Sequence, residues 1–204
     1  MRNTARMTRA LLIVDVQNDF TEGGALGCNG GAQVARSVTE LIHTGSYDLV
    51  AASRDWHDPN SDNGGHISEH PDFVDTWPPH CIADTHGAKY HPGLEADHID
   101  LHVRKGMGVP AYSAFEGELD DGSKLADALR ARDVDALDIV GIATDHCVRA
   151  SALDALAAGF SVRVLADLTA PVSAAAGEAA LEEVRAAGGE VADSDAVRSE
   201  VPEP

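Results

Sequence analysis

A single cysteine stands where a buried strand is predicted to run into a helix. The apolar run 137–142 is typical of a strand buried on both faces, and apolar spacing from 148 to 156 predicts a helix that Gly159 ends. Cys147 lies between them. Backbone N–H groups and the positive end of a helix dipole would favour its thiolate and could hold an oxyanion during attack on a carbonyl. The alternative is a buried, inert thiol.

Two charged residues also follow predicted strands. Asp15 ends the apolar run 10–14, and Lys105 follows the alternating segment 99–103. The carboxyl ends of parallel strands meet at one edge of a sheet, so both side chains could converge on Cys147. A carboxylate there can act as general base and then general acid, and a lysine can stabilise a thiolate. This trio suits nucleophilic attack on an amide carbonyl. Taken singly, Asp15 could be a turn cap and Lys105 a surface charge.

A second set of residues has the chemistry of metal ligands. Asp55 and His57 are two residues apart, so on an extended chain their side chains face the same side. His66 and His80 lie further along the same loop. One carboxylate with three imidazoles suits Zn²⁺, Fe²⁺ or Mn²⁺. Loop histidines are often plain surface residues, and four others lie in or beside this loop: His70, His86, His91 and His98.

Two aromatic side chains flank these candidates in the sequence. Phe20 follows Asp15 by five residues, and Trp77 precedes a Pro-Pro-His segment. Such rings can stack on a flat substrate, although packing within the loop is an equal alternative.

Strands and helices alternate along the chain. Six strands are predicted, at 10–14, 48–53, 99–103, 137–142, 161–166 and 190–192, with helices at 32–43, 123–132, 147–158 and 174–187. A long loop rich in Asp, Gly, Pro and His occupies 56–97. The pattern predicts a single-domain α/β fold with a doubly wound, mostly parallel sheet and helices on both faces. The domain should span 8–195, with mobile tails at 1–7 and 196–204.

The composition restricts the partners. The chain has 204 residues, 44% of them hydrophobic, and a net charge of -19 from 34 acidic and 15 basic residues. Such a charge repels nucleic acid and anionic membranes, and no apolar run reaches membrane-spanning length. Three cysteines do not form a disulfide framework, so a cytoplasmic location is expected. A small-molecule substrate is the expected partner, and a homo-oligomer is left open.

The motifs together resemble a known family. They are LIVDVQNDF at 12–20, EGG at 22–24, RDWH at 54–57, WPPHC at 77–81, KG at 105–106, AYSAFEG at 111–117, GIATDHCV at 141–148 and VLAD at 164–167. In this order they resemble the isochorismatase-like cysteine hydrolases, and within them the bacterial nicotinamidases, which also act on pyrazinamide. The resemblance implies the isochorismatase-like hydrolase fold. It also implies hydrolysis of nicotinamide to nicotinate and ammonia through a cysteine thioester.

The resemblance further assigns a role to each candidate residue. It implies a catalytic triad of Asp15, Lys105 and Cys147. It implies one divalent metal ion, with zinc first and iron or manganese as alternatives, held by Asp55, His57, His66 and His80. Phe20 and Trp77 would sandwich the pyridine ring with Tyr112 nearby. The backbone N–H groups of Ala143 and Cys147 would form an oxyanion hole, next to a cis peptide at Ile142-Ala143.

Several alternatives remain at this stage. The loop before His66 varies within the family, so His70 is a rival ligand. A related cysteine amidase acting on a carbamoyl or ureido compound would share the triad but usually lack the metal ligands. Isochorismatases act on a vinyl ether and lack the cysteine. A non-catalytic metal-binding module is the remaining possibility.

Overall fold

The computed structural model describes residues 7–198. The tails predicted at 1–7 and 196–204 lie outside this range except for residue 7 and residues 196–198. The last three belong to a short helix, α5 (Asp195–Arg198), in which Val197 is buried. Among the described residues, no helix is long and apolar enough to cross a membrane.

A seven-stranded sheet forms the centre of the fold. Its strands are β1 (Thr8–Val14), β2 (Val50–Asp55), β3 (Leu101–Lys105), β4 (Glu118–Leu119), β5 (Val134–Ile142), β6 (Ser161–Ala170) and β7 (Glu190–Ala192). The spatial order is β4-β3-β2-β1-β5-β6-β7, and every pair is parallel except β3–β4. The predicted fold class is confirmed. The extra strand, β4, is a two-residue antiparallel edge that is too short for a periodic pattern to reveal.

Helices cover both faces of the sheet. They are α1 (Gly31–His43), α2 (Leu125–Arg130), α3 (Arg149–Ala157) and α4 (Ala174–Ala186), besides α5. The sequence also predicts Ser123 as the cap of α2, but Lys124 is the N-cap residue and the Ser123 hydroxyl donates to Asp121. The helix is also shorter than the predicted 123–132.

Strand β1 separates two hydrophobic cores. Its Leu12 and Val14 pack into the core beneath α2, α3 and α4, whereas Leu11 and Ile13 pack into the core beneath α1. Alternate side chains of a strand point to opposite faces, so a strand covered on both sides reads as one continuous apolar run. For this reason the central strands could be predicted from the sequence.

Gly141 lets the carboxyl ends of β1 and β5 approach each other closely. Gly141 has φ +121°, and a Cβ built on it would lie 2.1 Å from the carbonyl oxygen of Val14. Any side chain there would push apart the two strand ends that carry Asp15 and the segment leading to Cys147.

Candidate active site

Three strand ends bring the predicted catalytic side chains together. Asp15 follows β1, Lys105 ends β3, and Cys147 lies beyond β5. The Lys105 Nζ is 2.8 Å from Asp15 Oδ2 and 3.6 Å from Cys147 Sγ. All three side chains are buried. The Ser53 hydroxyl donates a 2.7 Å hydrogen bond to Asp15 Oδ1, which fixes the carboxylate from the β2 side.

The electrostatics of this trio place the resting proton on sulfur. Burial raises the pKa of the Cys147 thiol well above its usual range, although the Lys105 ammonium opposes that shift. Burial also raises the pKa of Asp15, again against Lys105. The two carboxylates beside Lys105 raise the pKa of its ammonium despite burial. Lys105 is therefore charged, and its ammonium contacts the Asp15 carboxyl group.

The backbone around Cys147 differs from a simple strand-to-helix junction. Residues Thr144–Val148 form one π-helical turn, and α3 begins only at Arg149. The cysteine therefore lies within this turn instead of at the first residue of an α-helix. The peptide bond between Ile142 and Ala143 is cis, which confirms the expectation from the resemblance. Ala143, like Cys147, lines the adjoining cavity.

The predicted metal ligands also converge. One ring nitrogen from each of His57, His66 and His80 lies within 4.8 Å of the others, and all three residues are buried. Asp55 Oδ2 is 3.6 Å from His57 Nε2 and 3.7 Å from His80 Nε2. His70, the rival of His66, is exposed and is not part of this cluster.

Neighbouring groups hold the imidazoles with free nitrogens facing inward. His57 Nδ1 is 2.9 Å from the Gly106 carbonyl oxygen, and His80 Nδ1 is 2.7 Å from that of Pro78. Each Nδ1 thus carries the proton, which leaves Nε2 as a lone-pair donor. Within the described residues, His57 Nε2 and His66 Nδ1 are buried without any hydrogen-bond partner. Such unpaired buried nitrogens fit a metal ion.

The protonation states also suit a cation. Burial and the imidazoles of His57 and His80 lower the pKa of His66 to about 4, so its ring is neutral at neutral pH. Burial would raise the pKa of Asp55, but Lys105, His57 and His80 outweigh it and hold that pKa well below its usual range. Three imidazoles with one carboxylate form an N₃O donor set that suits Zn²⁺ or Fe²⁺. Asp55 also forms an ion pair with Lys105, which links the two clusters.

A cavity of about 330 Å³ opens directly onto both clusters. Its volume lies at the lower end of the range for small-ligand sites. The Trp77 indole N–H donates a 3.0 Å hydrogen bond to the Tyr112 hydroxyl, which fixes both rings against each other. The lining residues are Phe20, Ala25, Leu26, Gly27, Cys28, Asp55, His66, Phe73, Trp77, His80, Tyr112, Ala143, His146, Cys147 and Val172.

Several residues that support the site were not predicted from the sequence. Buried Gln17 accepts from the Asp55 N–H at 2.8 Å and donates to the carbonyl oxygens of Asp55 and Ala88, both at 2.9 Å. Asp19 accepts from the Cys81 N–H at 2.7 Å, directly after His80. Both residues belong to the 12–20 motif, where polar side chains after a buried strand were the available signal.

Comparisons with known proteins identify the family of the chain. Residues 9–196 match the family model described as Isochorismatase domain. The nicotinamidase/pyrazinamidase of Mycobacterium tuberculosis is 51% identical over 180 residues, covering 88% of this chain and 95% of the relative.

Two solved structures share the fold over most of their length. PnC1 from L. infantum, in complex with nicotinate, has a TM-score of 0.80 and 34% identity, covering 93% of this chain and 94% of its own. The pyrazinamidase of Pyrococcus horikoshii, in complex with zinc, has a TM-score of 0.77 and 36% identity, covering 91% of this chain and 99% of its own. The family model, the sequence identity and the shared fold show that the chain belongs to the isochorismatase-like hydrolase family.

Proposed function

We propose that this protein is a metal-dependent nicotinamidase that hydrolyses nicotinamide to nicotinate and ammonia, and also accepts pyrazinamide. The observation that carries the proposal is the contact of Lys105 with Asp15 and Cys147 beside the histidine cluster, where Cys147, His66 and His80 line one cavity. The relatives named above, which include a nicotinate complex and a zinc complex, support the same substrate and cofactor class.

Asp15, Lys105 and Cys147 carry the first half-reaction. Asp15 takes the thiol proton of Cys147 as sulfur attacks the carboxamide carbon. The new C–S bond converts the carbonyl oxygen to an oxyanion, which the N–H groups of Ala143 and Cys147 stabilise. As the C–N bond breaks, Asp15 returns the proton to nitrogen and ammonia leaves. The product is a nicotinoyl thioester on Cys147.

Water completes the cycle. Asp15 removes a proton from water as its oxygen attacks the thioester carbon. The C–S bond then breaks and Asp15 gives the proton it took from water to the sulfur. The nicotinic acid loses its remaining proton to solvent and leaves as nicotinate. Lys105 keeps its charge throughout and stabilises whichever of Asp15 and Cys147 is anionic, because both lie within contact distance of its ammonium.

The metal would be held by Asp55, His57, His66 and His80. When bound, it supplies a Lewis-acid position for the ring nitrogen of a pyridine amide, which would orient the carboxamide. Phe20 and Trp77 line the same cavity and provide aromatic surfaces for a flat ring, with the Tyr112 hydroxyl fixed by Trp77. Zinc is the ion we favour, with iron or manganese as alternatives.

We also propose a cellular location for the enzyme. The three cysteines, all within the described part of the chain, are unpaired. We therefore place the protein in a reducing compartment, the cytoplasm.

The alternatives predict different substrates. An amidase for carbamoyl or ureido compounds would need the triad but has no use for three buried imidazoles with unpaired nitrogens. A non-catalytic metal module would not need a buried Asp-Lys-Cys contact, which is costly to build.

The discriminating experiment is ammonia release from a panel of amides. Nicotinamide and pyrazinamide should release ammonia, whereas benzamide and a ureido acid should release at least about tenfold less, because neither offers a ring nitrogen to the metal. Chelation should abolish the activity and zinc should restore it. A preference for the ureido compound, or activity indifferent to chelation, would contradict the proposal.

A further inference from the structure

We propose that the surface holds a second metal site, formed by His43, Glu95 and His98, for a divalent transition-metal ion such as Zn²⁺. One ligand atom from each lies within 4.8 Å of the other two. His43 Nε2 is 2.8 Å from Glu95 Oε2, and His98 Nε2 is 3.5 Å from the same oxygen. This site is separate from the buried cluster and does not depend on the proposed amidase activity.

The chain positions these side chains through two independent segments. His43 is the last residue of α1, whereas Glu95 is the N-cap residue, and His98 the last residue, of a single 3₁₀ turn (Ala96–His98) before β3. Residues three apart in such a turn project on the same side, which explains why Glu95 and His98 face together. The rings of His43 and His98 meet edge to face with centroids 5.3 Å apart.

Hydrogen bonds hold the two segments against each other. The Thr39 hydroxyl, one turn before His43, donates to the Gly93 carbonyl oxygen at 2.9 Å and accepts from the Glu95 N–H at 3.0 Å. The backbone that carries Glu95 is thus fixed to α1 before any ion arrives. Prior ordering of this kind lowers the entropic cost of binding.

The chemistry of the site favours a borderline cation. Two imidazoles and one carboxylate form an N₂O donor set, which suits Zn²⁺, Ni²⁺ or Cu²⁺ better than Mg²⁺ or Ca²⁺. Binding through Nε2 would leave the ring proton of each histidine on Nδ1, and water would fill the remaining positions. The C-terminal end of α1 and the net charge of -19 both attract a cation.

The side chains are free to close around an ion. Those of His43, Glu95 and His98 are 50%, 52% and 52% exposed, so small rotations can bring the three atoms to metal-ligand distances without disturbing a core. A bound ion would join α1 to the turn before β3. Because it would bind only the folded chain, it should raise the melting temperature.

The test is a zinc titration of the metal-stripped full-length protein against a chromophoric chelator. Wild type should bind two equivalents, one tight and one weaker. His43→Ala and His98→Ala should each lose the weaker equivalent or reduce its affinity by at least about tenfold. Nicotinamide hydrolysis should stay within about twofold of wild type, since both residues lie outside the cavity lining.

His70→Ala is the matched control, because His70 is an exposed histidine that belongs to neither cluster. It should bind two equivalents like wild type. A zinc-soaked crystal of wild type, measured at the zinc absorption edge, gives a readout that needs no variant to fold. It should show an anomalous peak between His43, Glu95 and His98. Zinc binding that is unchanged in both variants, or no peak at this position, would overturn the proposal.

Discussion

At the scale of the residue, the site depends on one buried lysine. Lys105 contacts both Asp15 and Asp55 and approaches Cys147, so a single cation stabilises two carboxylates that burial would otherwise protonate. Residue types and spacing were sufficient to predict these four side chains as site residues. The sequence could not show that Asp55 belongs to both clusters, because that follows from the distances between strand ends.

Replacing Lys105 should damage both activity and stability. In Lys105→Met two buried carboxylates lose their partner, and breaking a buried ion pair in this way costs about 3–5 kcal/mol. Urea unfolding at neutral pH should show a loss of that order, and ammonia release should fall at least about 10²-fold. Lys124→Met removes an exposed lysine paired with Glu118 and is the control, with little change expected.

The pH dependence of that loss follows from the same charges. Without Lys105, the pKa of Asp15, which burial already raises in the wild type, should rise further, and the pKa of Asp55 should rise above its unfolded value. A raised carboxyl pKa destabilises the folded state above the unfolded pKa and ceases to do so as the group is protonated. The stability difference between Lys105→Met and wild type should therefore shrink as the pH falls toward 4. A difference that stays constant with pH would contradict the ion-pair account.

At the scale of the element, turns after the strands set the metal ligands. Gly106 follows β3 with φ +77°, and its carbonyl oxygen accepts a hydrogen bond from His57 Nδ1. A Cβ built on Gly106 would lie 2.6 Å from His57 Cε1. Glycine is therefore required at position 106, because the backbone there has a positive φ and because a side chain would collide with the His57 ring.

Gly106→Ala should displace His57 and weaken metal binding at least about tenfold, as losing a group that orients a ligand commonly does. Gly108→Ala is a close control, because Gly108 also has φ +77° but a Cβ there meets nothing within 4 Å. Both variants pay the same backbone cost, so only the contact with His57 differs. Equal zinc affinities of the two variants, measured by chelator competition, would refute this role for Gly106.

Elements were predictable where their pattern was long. Strands β1 and β5 are apolar runs buried on both faces, and α1 and α4 span several turns. The two-residue strand β4 and the π-helical turn before α3 were missed, because each is set by tertiary contacts and not by residue periodicity. The loop at 56–97 was predicted to carry metal ligands, but its path was not predictable. That path is fixed by buried Asn63, whose side-chain oxygen accepts from the Asp58 and Gly108 N–H groups at 2.8 and 3.0 Å.

At the scale of the whole molecule, the charge is the dominant feature. A net charge of -19 on 204 residues repels itself in the compact state, and salt screens that repulsion. The melting temperature should rise when NaCl is increased from about 0.01 M to about 0.5 M, as the Debye length falls from about 30 Å to below 8 Å. Sucrose at equal osmolality controls for general solute effects. A melting temperature that falls over this range of NaCl would show that surface repulsion is not a significant cost.

The proposed mechanism requires Cys147 as the nucleophile. The most direct test is ammonia release from nicotinamide by Cys147→Ala, with calorimetric nicotinamide binding measured on the same preparation. Cys81→Ala, which removes another buried thiol, should keep most of its activity. Cys147→Ala should still bind nicotinamide but release ammonia roughly 10⁴-fold more slowly or not at all. Ammonia release by Cys147→Ala at a rate near that of wild type would contradict the thioester mechanism.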